Sequence, residues 1–175
     1  MNFEYRHLIP ENFSPSSRIW IYQGNRLFST SEVPQIEEML SDFADIWKTH
    51  GTPVKGYATL LFGQFIMLMA DETVASVGGC STDSSVQVIK QVEAKFAVEM
   101  FNRQTLAFVV KDTIQTIPLA QLNYVLENGF ITPDTIYFNN TVLDKASFLD
   151  TWMIPVKDSW LAKKITKQLV TGSPA

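Results

Sequence analysis

Two nearly continuous apolar runs in the middle of the chain restrict its fold more than any other feature. They cover residues 57–62 and 65–70 and are joined at Gly63 and Gln64. Two such runs separated by two residues, one of them glycine, predict a β-hairpin. Strands that are apolar at almost every position need covers on both faces. The remainder of the chain is therefore expected to supply helices, or helices and a packed arm, to cover this hairpin.

Two amphipathic segments with helical spacing can provide those covers. The first follows the N-cap candidates Ser29, Thr30 and Ser31 and is predicted to end at Gly51, a residue suited to the left-handed C-cap. The second is predicted over residues 82–100, with apolar residues on one stripe. Each segment therefore has one face that can pack on the hairpin and one that can face water.

The order of the remaining patterns places the chain in the α+β class. Strands are predicted at 18–23, 106–110, 113–117 and 135–138, a short helix at 118–129, and a last helix from Asp158. The order β-α-β-β-α-β-(β)-α resembles a split β-α-β, or ferredoxin-like, core in a single-domain two-layer sandwich with extra C-terminal helices. An α/β sandwich with a mixed sheet is the alternative. We expect an arm over 1–17, one domain over 18–170 and a flexible tail over 171–175.

Charge and cysteine content exclude several classes of protein. A net charge of −4 argues against a general nucleic-acid binder or a protein held on anionic lipid by charge. One cysteine cannot form an intramolecular disulfide, and no spacing matches a structural metal site, which favours a reducing compartment. The longest apolar run is too short to span a bilayer, and residues 1–7 lack the pattern of a signal peptide. We expect a cytoplasmic protein with no inserted segment and no cofactor.

One short stretch, residues 78–85, concentrates unusual local chemistry before the second predicted helix. Glycine allows close backbone approach, and amides at a helix start together with hydroxyl groups can bind phosphate or carboxylate. The candidate ligand-binding residues, for a small anionic metabolite, are Gly78, Gly79, Cys80, Ser81, Thr82, Asp83, Ser84 and Ser85.

Two other interpretations of the same stretch stay open. A helix start lowers a cysteine pKa, so Cys80 is a candidate nucleophile for a small hydrolase or acyl-transfer enzyme. That enzyme needs a base, and the only histidines, His7 and His50, are distant in sequence. In the structural interpretation, the glycines make a turn, Cys80 is a small buried residue, and Thr82 or Asp83 caps the helix. A third hypothesis places the site in a homodimer, formed through the hairpin edge or the C-terminal helix.

Several motifs resemble those of one bacterial family. They are residues 17–23 (SRIWIYQ), 53–58 (PVKGYA), 62–65 (FGQF), 79–85 (GCSTDSS), 128–135 (NGFITPDT) and 154–160 (IPVKDSW), which together cover almost the whole chain. The chain is similar through them to a family of uncharacterised bacterial proteins whose members often bear the name "ABC transporter ATPase". The resemblance implies no established activity.

The sequence does not support ATP hydrolysis. A P-loop ATPase requires G-x-x-x-x-G-K-[ST], because backbone amides and a lysine surround the phosphates, and this chain has no Gly-Lys pair. Residues 66–72 do imitate an apolar strand ending in Asp-Glu, and 76–80 partly resemble the transporter signature loop. In transporter ATPases the signature precedes that strand, whereas here it follows. We therefore predict that Asp71 and Glu72 are the polar end of a buried strand.

Overall fold

The computed structural model describes residues 2–49, 51–73 and 78–164, except for the side chains of Cys80 and Ser81. Its helices are α1 (Val33–Ile46), α2 (Gly79–Phe96), α3 (Leu122–Glu127) and α4 (Lys145–Thr151). Its strands are β1 (Arg18–Gln23), β2 (Lys48–Thr49), β3 (Thr52–Pro53), β4 (Lys55–Leu61), β5 (Phe65–Asp71), β6 (Thr105–Val110), β7 (Thr113–Pro118), β8 (Ile136–Phe138) and β9 (Met153–Pro155). Helices and antiparallel sheets together confirm the α+β class.

The chain forms two compact units. The larger comprises residues 3–102 and 140–150, and the smaller comprises residues 1–2, 103–139 and 151–175. The division into an arm, one domain over 18–170 and a tail stays a prediction. The tail and the second half of the predicted last helix fall on residues 165–175, which lie outside the described residues.

The larger unit is built on the predicted hairpin. Strand β5 pairs antiparallel with β1 on one side and β4 on the other, giving the order β1-β5-β4. All seven β5 residues are buried, as expected for a strand covered on both faces. Side chains of α1 and α2 form one core with one face of this sheet. On the other face, Tyr5 packs against Phe148 of α4, and Phe13 packs against Tyr57 of β4.

The smaller unit contains a second antiparallel sheet in the order β7-β6-β8-β9. Its core includes Leu106 and Phe108 of β6, Tyr137 of β8, and Leu122 and Val125 of α3. Lys111 and Asp112 form the turn between the paired β6 and β7, and both have positive φ. Helix α3 ends at Glu127, with Asn128 as its C-cap and Gly129 following at φ +70°.

The ferredoxin-like core is not confirmed. A split β-α-β core places the first strand parallel to a later strand within one sheet, whereas β1 pairs antiparallel with β5. In the described residues, β6 pairs with β7 and β8 in the other sheet rather than joining β1, β4 and β5. Sequence periodicity identified these strands, but it does not encode which strands pair across long separations.

Both predicted ends of α1 were wrong. The N-cap residue is Glu32 rather than one of the three residues before it, and the helix ends at Ile46, with Trp47 already extended. Trp47 is 2% exposed, so this aromatic ring is buried at the point where the chain leaves the helix. Gly51, at φ +84°, lies between the short paired strands β2 and β3 instead of capping the helix.

Candidate functional site

The start of α2 is the first feature to locate, because the predicted ligand-binding residues surround it. The helix begins at Gly79, three residues before the predicted start, and Gly78 is the N-cap with extended backbone at φ −87° and ψ −174°. The Thr82 amide donates to the Gly78 carbonyl at 3.1 Å, which closes the first turn. The prediction that Thr82 or Asp83 caps the helix is therefore wrong, and Cys80 belongs to the first helical turn.

Packing along the inner face holds α2 in place. Val88, Ile89, Val92 and Phe96 are buried in the core of the larger unit. Ser85 is fully buried as well. Close to the helix start, the Gly78 amide donates to Thr49 Oγ1 of β2 at 3.5 Å. The core thus determines which side of the first turn faces away from the protein.

Two of the predicted hydroxyl ligands donate within the helix itself. Thr82 Oγ1 donates to the Gly78 carbonyl at 3.2 Å, and Ser85 Oγ donates to the Thr82 carbonyl at 2.7 Å. Both are local side-chain-to-backbone bonds of the kind that Ser and Thr commonly form in helices. Ser85 lies on the inner face, so the eight candidate residues do not form one hydroxyl-lined surface.

The accessible part of the site is narrower than the sequence indicated. Gly79, Asp83 and Ser84 are exposed, whereas Gly78 and Thr82 are half-buried. A Cβ added at Gly79 would meet no heavy atom of the described residues within 4 Å, so the described part of the chain leaves space beside the first turn. The N–H groups of the first turn of a helix point along its axis without intrahelical acceptors. Accessible amides, rather than side-chain hydroxyls, are thus the main chemical feature of this position.

The local electrostatics have two opposing parts. The amino end of an 18-residue helix carries the partial positive charge of the helix dipole, which favours an anion. The exposed carboxylate of Asp83, one turn further along, places a negative charge nearby. Because Asp83 stands four residues after Gly79, its carboxylate lies on the same side of the helix as Gly79 and opposes the effect of the dipole there.

The thiol of Cys80 and one of the two histidines that could serve it as a base lie outside the described part of the chain. His7 is exposed in the 3-10 turn Arg6–Leu8 of the arm, and His50 lies outside the described residues, as does the Cys80 side chain. Within the described part of the chain, no group of three or more His, Cys, Asp and Glu residues is arranged to hold a metal ion. None of the described helices combines the length and the apolar character needed to cross a membrane.

A polar cluster at the end of β5 was missed by sequence reasoning. The buried carboxylate of Asp71 accepts four hydrogen bonds, from Lys55 Nζ at 2.8 Å, the Ser14 amide at 3.2 Å, the Thr73 amide at 3.2 Å and Thr73 Oγ1 at 2.7 Å. The hydrogen bond from Lys55, more than any other contact, holds the pKa of the Asp71 carboxyl well below its usual range, although burial opposes this. Asp71 is therefore the polar end of a buried strand, as predicted, and it fastens the arm to the sheet.

A second polar contact fastens the same arm. The ammonium of Lys145, on the buried side of α4, donates to the carbonyls of Pro10 at 2.8 Å, Glu11 at 3.2 Å and Phe13 at 2.8 Å. Three acceptors match the three donors of a lysine ammonium. Ser17, whose carbonyl accepts a hydrogen bond from the Lys145 amide at 2.9 Å, has a buried Oγ with no hydrogen-bond partner in the described residues. No sequence pattern indicates the Lys145 contacts, because all three acceptors are backbone atoms.

No protein-family model, curated protein or solved structure matches the chain.

Proposed function

We propose that this chain is a non-catalytic cytoplasmic module that binds a small anionic metabolite, through phosphate or carboxylate, at the start of α2. The observation that carries the proposal is an 18-residue helix with a glycine N-cap, which offers no capping side chain, and open space beside Gly79. Helix starts of this kind bind anions because amide donors and the dipole act on the same side. The proposal is limited to binding, since holding an anion requires only donors.

The position of Gly79 allows a sharp test. Gly79 is the first residue of α2, where proline fits a helix and only removes one N–H group. The extended backbone of Gly78 suits a residue that precedes proline. Gly79→Pro therefore removes an amide donor, and Gly79→Ala is the matched control that keeps it. At the Cβ position neither substitution meets an atom of the described residues within 4 Å.

The full chain is titrated with inorganic phosphate, and the amide chemical shifts are recorded by NMR at each phosphate concentration. We expect saturable shifts centred on Gly79, Cys80 and Ser81 in the wild-type chain and in Gly79→Ala. Gly79→Pro is expected to weaken binding at least about tenfold, the change that corresponds to losing one hydrogen bond to a charged group. Equal affinity in both variants, or shifts that are spread over the whole chain, would contradict the proposal.

The register of α2 also gives a test of the alternative, a small hydrolase or acyl-transfer enzyme that uses Cys80. Cys80 is the second residue of the helix, a position where the positive dipole favours a thiolate. The alternative therefore requires that the rate of reaction of this thiol with iodoacetamide rises with pH about a midpoint well below the ordinary cysteine pKa of about 8.5. A midpoint at or above that value would exclude it, while the proposed anion binding would be unaffected.

A further inference from the structure

The end of α3 carries the only Asn-Gly pair of the sequence, Asn128 and Gly129. An asparagine that precedes glycine loses its side-chain amide more readily than one that precedes another residue, because glycine has no side chain to hinder the reaction and adopts many backbone conformations. Both residues are exposed, so water reaches them. The pair is therefore the position where this sequence most favours a spontaneous change of covalent structure.

The fold holds the backbone of this pair in a defined turn. The Gly129 amide donates to the Leu126 carbonyl at 3.1 Å, and the Phe130 amide donates to the Val125 carbonyl at 2.9 Å. With Gly129 at φ +70°, these two bonds form a Schellman motif, the glycine-ended turn that closes many helices. The backbone N–H of Gly129 is thus engaged in the native turn.

The same turn holds the side chain of Asn128, whose Nδ2 donates to the Tyr124 carbonyl at 2.8 Å. Deamidation requires the Gly129 nitrogen to give up its proton and to attack Asn128 Cγ, with Nδ2 as the leaving group. In the native turn both nitrogens donate hydrogen bonds, to Leu126 and to Tyr124. The turn must therefore open before the reaction proceeds, and local openings of this kind are common at the ends of helices.

We propose that Asn128 is a deamidation site whose reaction is limited by the opening of the turn at the end of α3. In the open turn the Gly129 nitrogen forms a bond to Asn128 Cγ, and the Cγ–Nδ2 bond breaks. The side-chain NH2 group leaves as ammonia with the proton from the Gly129 nitrogen, and a succinimide ring remains. Water then opens the ring at either carbonyl, giving aspartate or isoaspartate. The reaction consumes one water, releases one ammonia and changes no oxidation state.

The product opposes the structure around it. A carboxylate at position 128 cannot donate to the Tyr124 carbonyl, and its charge stands beside Glu127 at the negative end of the helix dipole. Isoaspartate also adds a methylene group to the backbone inside the turn. Deamidation of Asn128 therefore weakens the end of α3. This site belongs to the smaller unit, and its reaction does not depend on the proposed anion binding.

Ageing of the full chain in a mildly alkaline buffer, folded and in guanidinium chloride, measures the reaction by mass spectrometry with electron-transfer fragmentation. In the unfolded chain we expect Asn128 to react first and to give both aspartate and isoaspartate. In the folded chain we expect a rate at least about tenfold lower, which corresponds to an opening free energy of about 1.4 kcal/mol. Asn123, exposed in the same helix but followed by Tyr124, is the internal control. Equal rates in the two states, aspartate without isoaspartate, or no preference for Asn128 over Asn123 overturns the inference.

Two matched variants test the effect of the product on the fold. Asn128→Asp is the aspartate product itself, and Asn123→Asp makes the same charge change near the start of α3, where the dipole favours an anion. We expect the guanidinium midpoint of unfolding to fall for Asn128→Asp and to stay constant or rise for Asn123→Asp. An unchanged midpoint for Asn128→Asp, or an equal loss in both variants, overturns the inference that the product weakens this turn.

Discussion

Gly56 gives the most direct test of how α1 packs on the larger sheet. A Cβ at this position would lie 2.7 Å from Trp47 Cε3 and 3.4 Å from Cζ3, whereas carbon atoms normally approach to about 3.5–4.0 Å. The ring has little freedom to move away. It packs against Phe43 at a centroid distance of 4.8 Å and against Trp20 at 5.8 Å, and the Trp47 carbonyl accepts a hydrogen bond from the Val54 amide. Gly56→Ala therefore overpacks a rigid part of the core.

The magnitude follows from two opposing effects. Overpacking of this kind destabilises a core by about 1–3 kcal/mol. Replacing glycine by alanine also restricts the unfolded chain, which stabilises by about 0.4–1 kcal/mol. The net expectation for Gly56→Ala is a loss of about 1–2 kcal/mol in the free energy of unfolding. Urea denaturation of the full chain measures this change, and Gly79→Ala is the control, because its Cβ meets no atom of the described residues within 4 Å.

A double-mutant cycle isolates the cause. In a Trp47→Leu background the indole ring is gone, so adding a methyl group at Gly56 should have little effect or should stabilise the chain. The two substitutions are in contact and are therefore expected to couple. If Gly56→Ala destabilised both backgrounds equally, the loss would come from the backbone of β4, and the argument from the ring contact would be refuted.

Three further predictions concern the polar contacts and the turns. The pKa of the Asp71 carboxyl is depressed below its ordinary 3.8, so the stability that its ionised form gives the fold is fully present above about pH 4 and is lost as pH falls further. Asp71→Asn should flatten the dependence of the free energy of unfolding on acid pH, and an unchanged slope of that free energy against pH would contradict the prediction. Lys145→Met leaves three arm carbonyls without their donor and should destabilise the chain by about 2 kcal/mol or more. Ser17→Ala removes a buried hydroxyl that has no partner in the described residues and should be neutral or stabilising. Denaturation curves that show both variants destabilised would refute this pair of predictions. Lys111→Asn with Asp112→Gly places residues suited to positive φ in the turn between β6 and β7 and should raise stability by about 1 kcal/mol, and a lower melting temperature would contradict that geometry.

Local patterns predicted the elements of this fold, while contacts between distant segments decided the rest. The hairpin was predicted from its apolar runs, but its turn contains three residues rather than two, because Leu61 pairs with Phe65. Phe62 and Gly63 have φ of +53° and +64°. Positive φ is rare for phenylalanine, and the Phe62 ring contacts Phe3 and Tyr5 of the arm. A local sequence pattern cannot reveal that distant support.

The candidate site shows the same limit. Glycine followed by hydroxyl residues predicted a helix start at about residue 82, whereas α2 begins at Gly79, and the pattern did not show which groups would be available there. The hydroxyl groups of Thr82 and Ser85 donate to backbone carbonyls, and Ser85 is buried because the core of the larger unit fixes the rotation of α2. Amides of the first turn therefore have a larger role in the proposed site than the side chains that first indicated it.

The end of β5 shows why a strand followed by Asp-Glu is weak evidence for nucleotide hydrolysis. Such a motif has the same composition whether the first carboxylate holds magnesium or fastens a neighbouring segment. Here the Asp71 oxygens accept hydrogen bonds from Lys55, Ser14 and Thr73, so one lysine and two backbone amides already neutralise and orient the carboxylate. A carboxylate held in this way stabilises the arm, and substituting it tests folding rather than catalysis. Experiments on function should therefore begin with Gly79, which is exposed and whose substitution leaves the core intact.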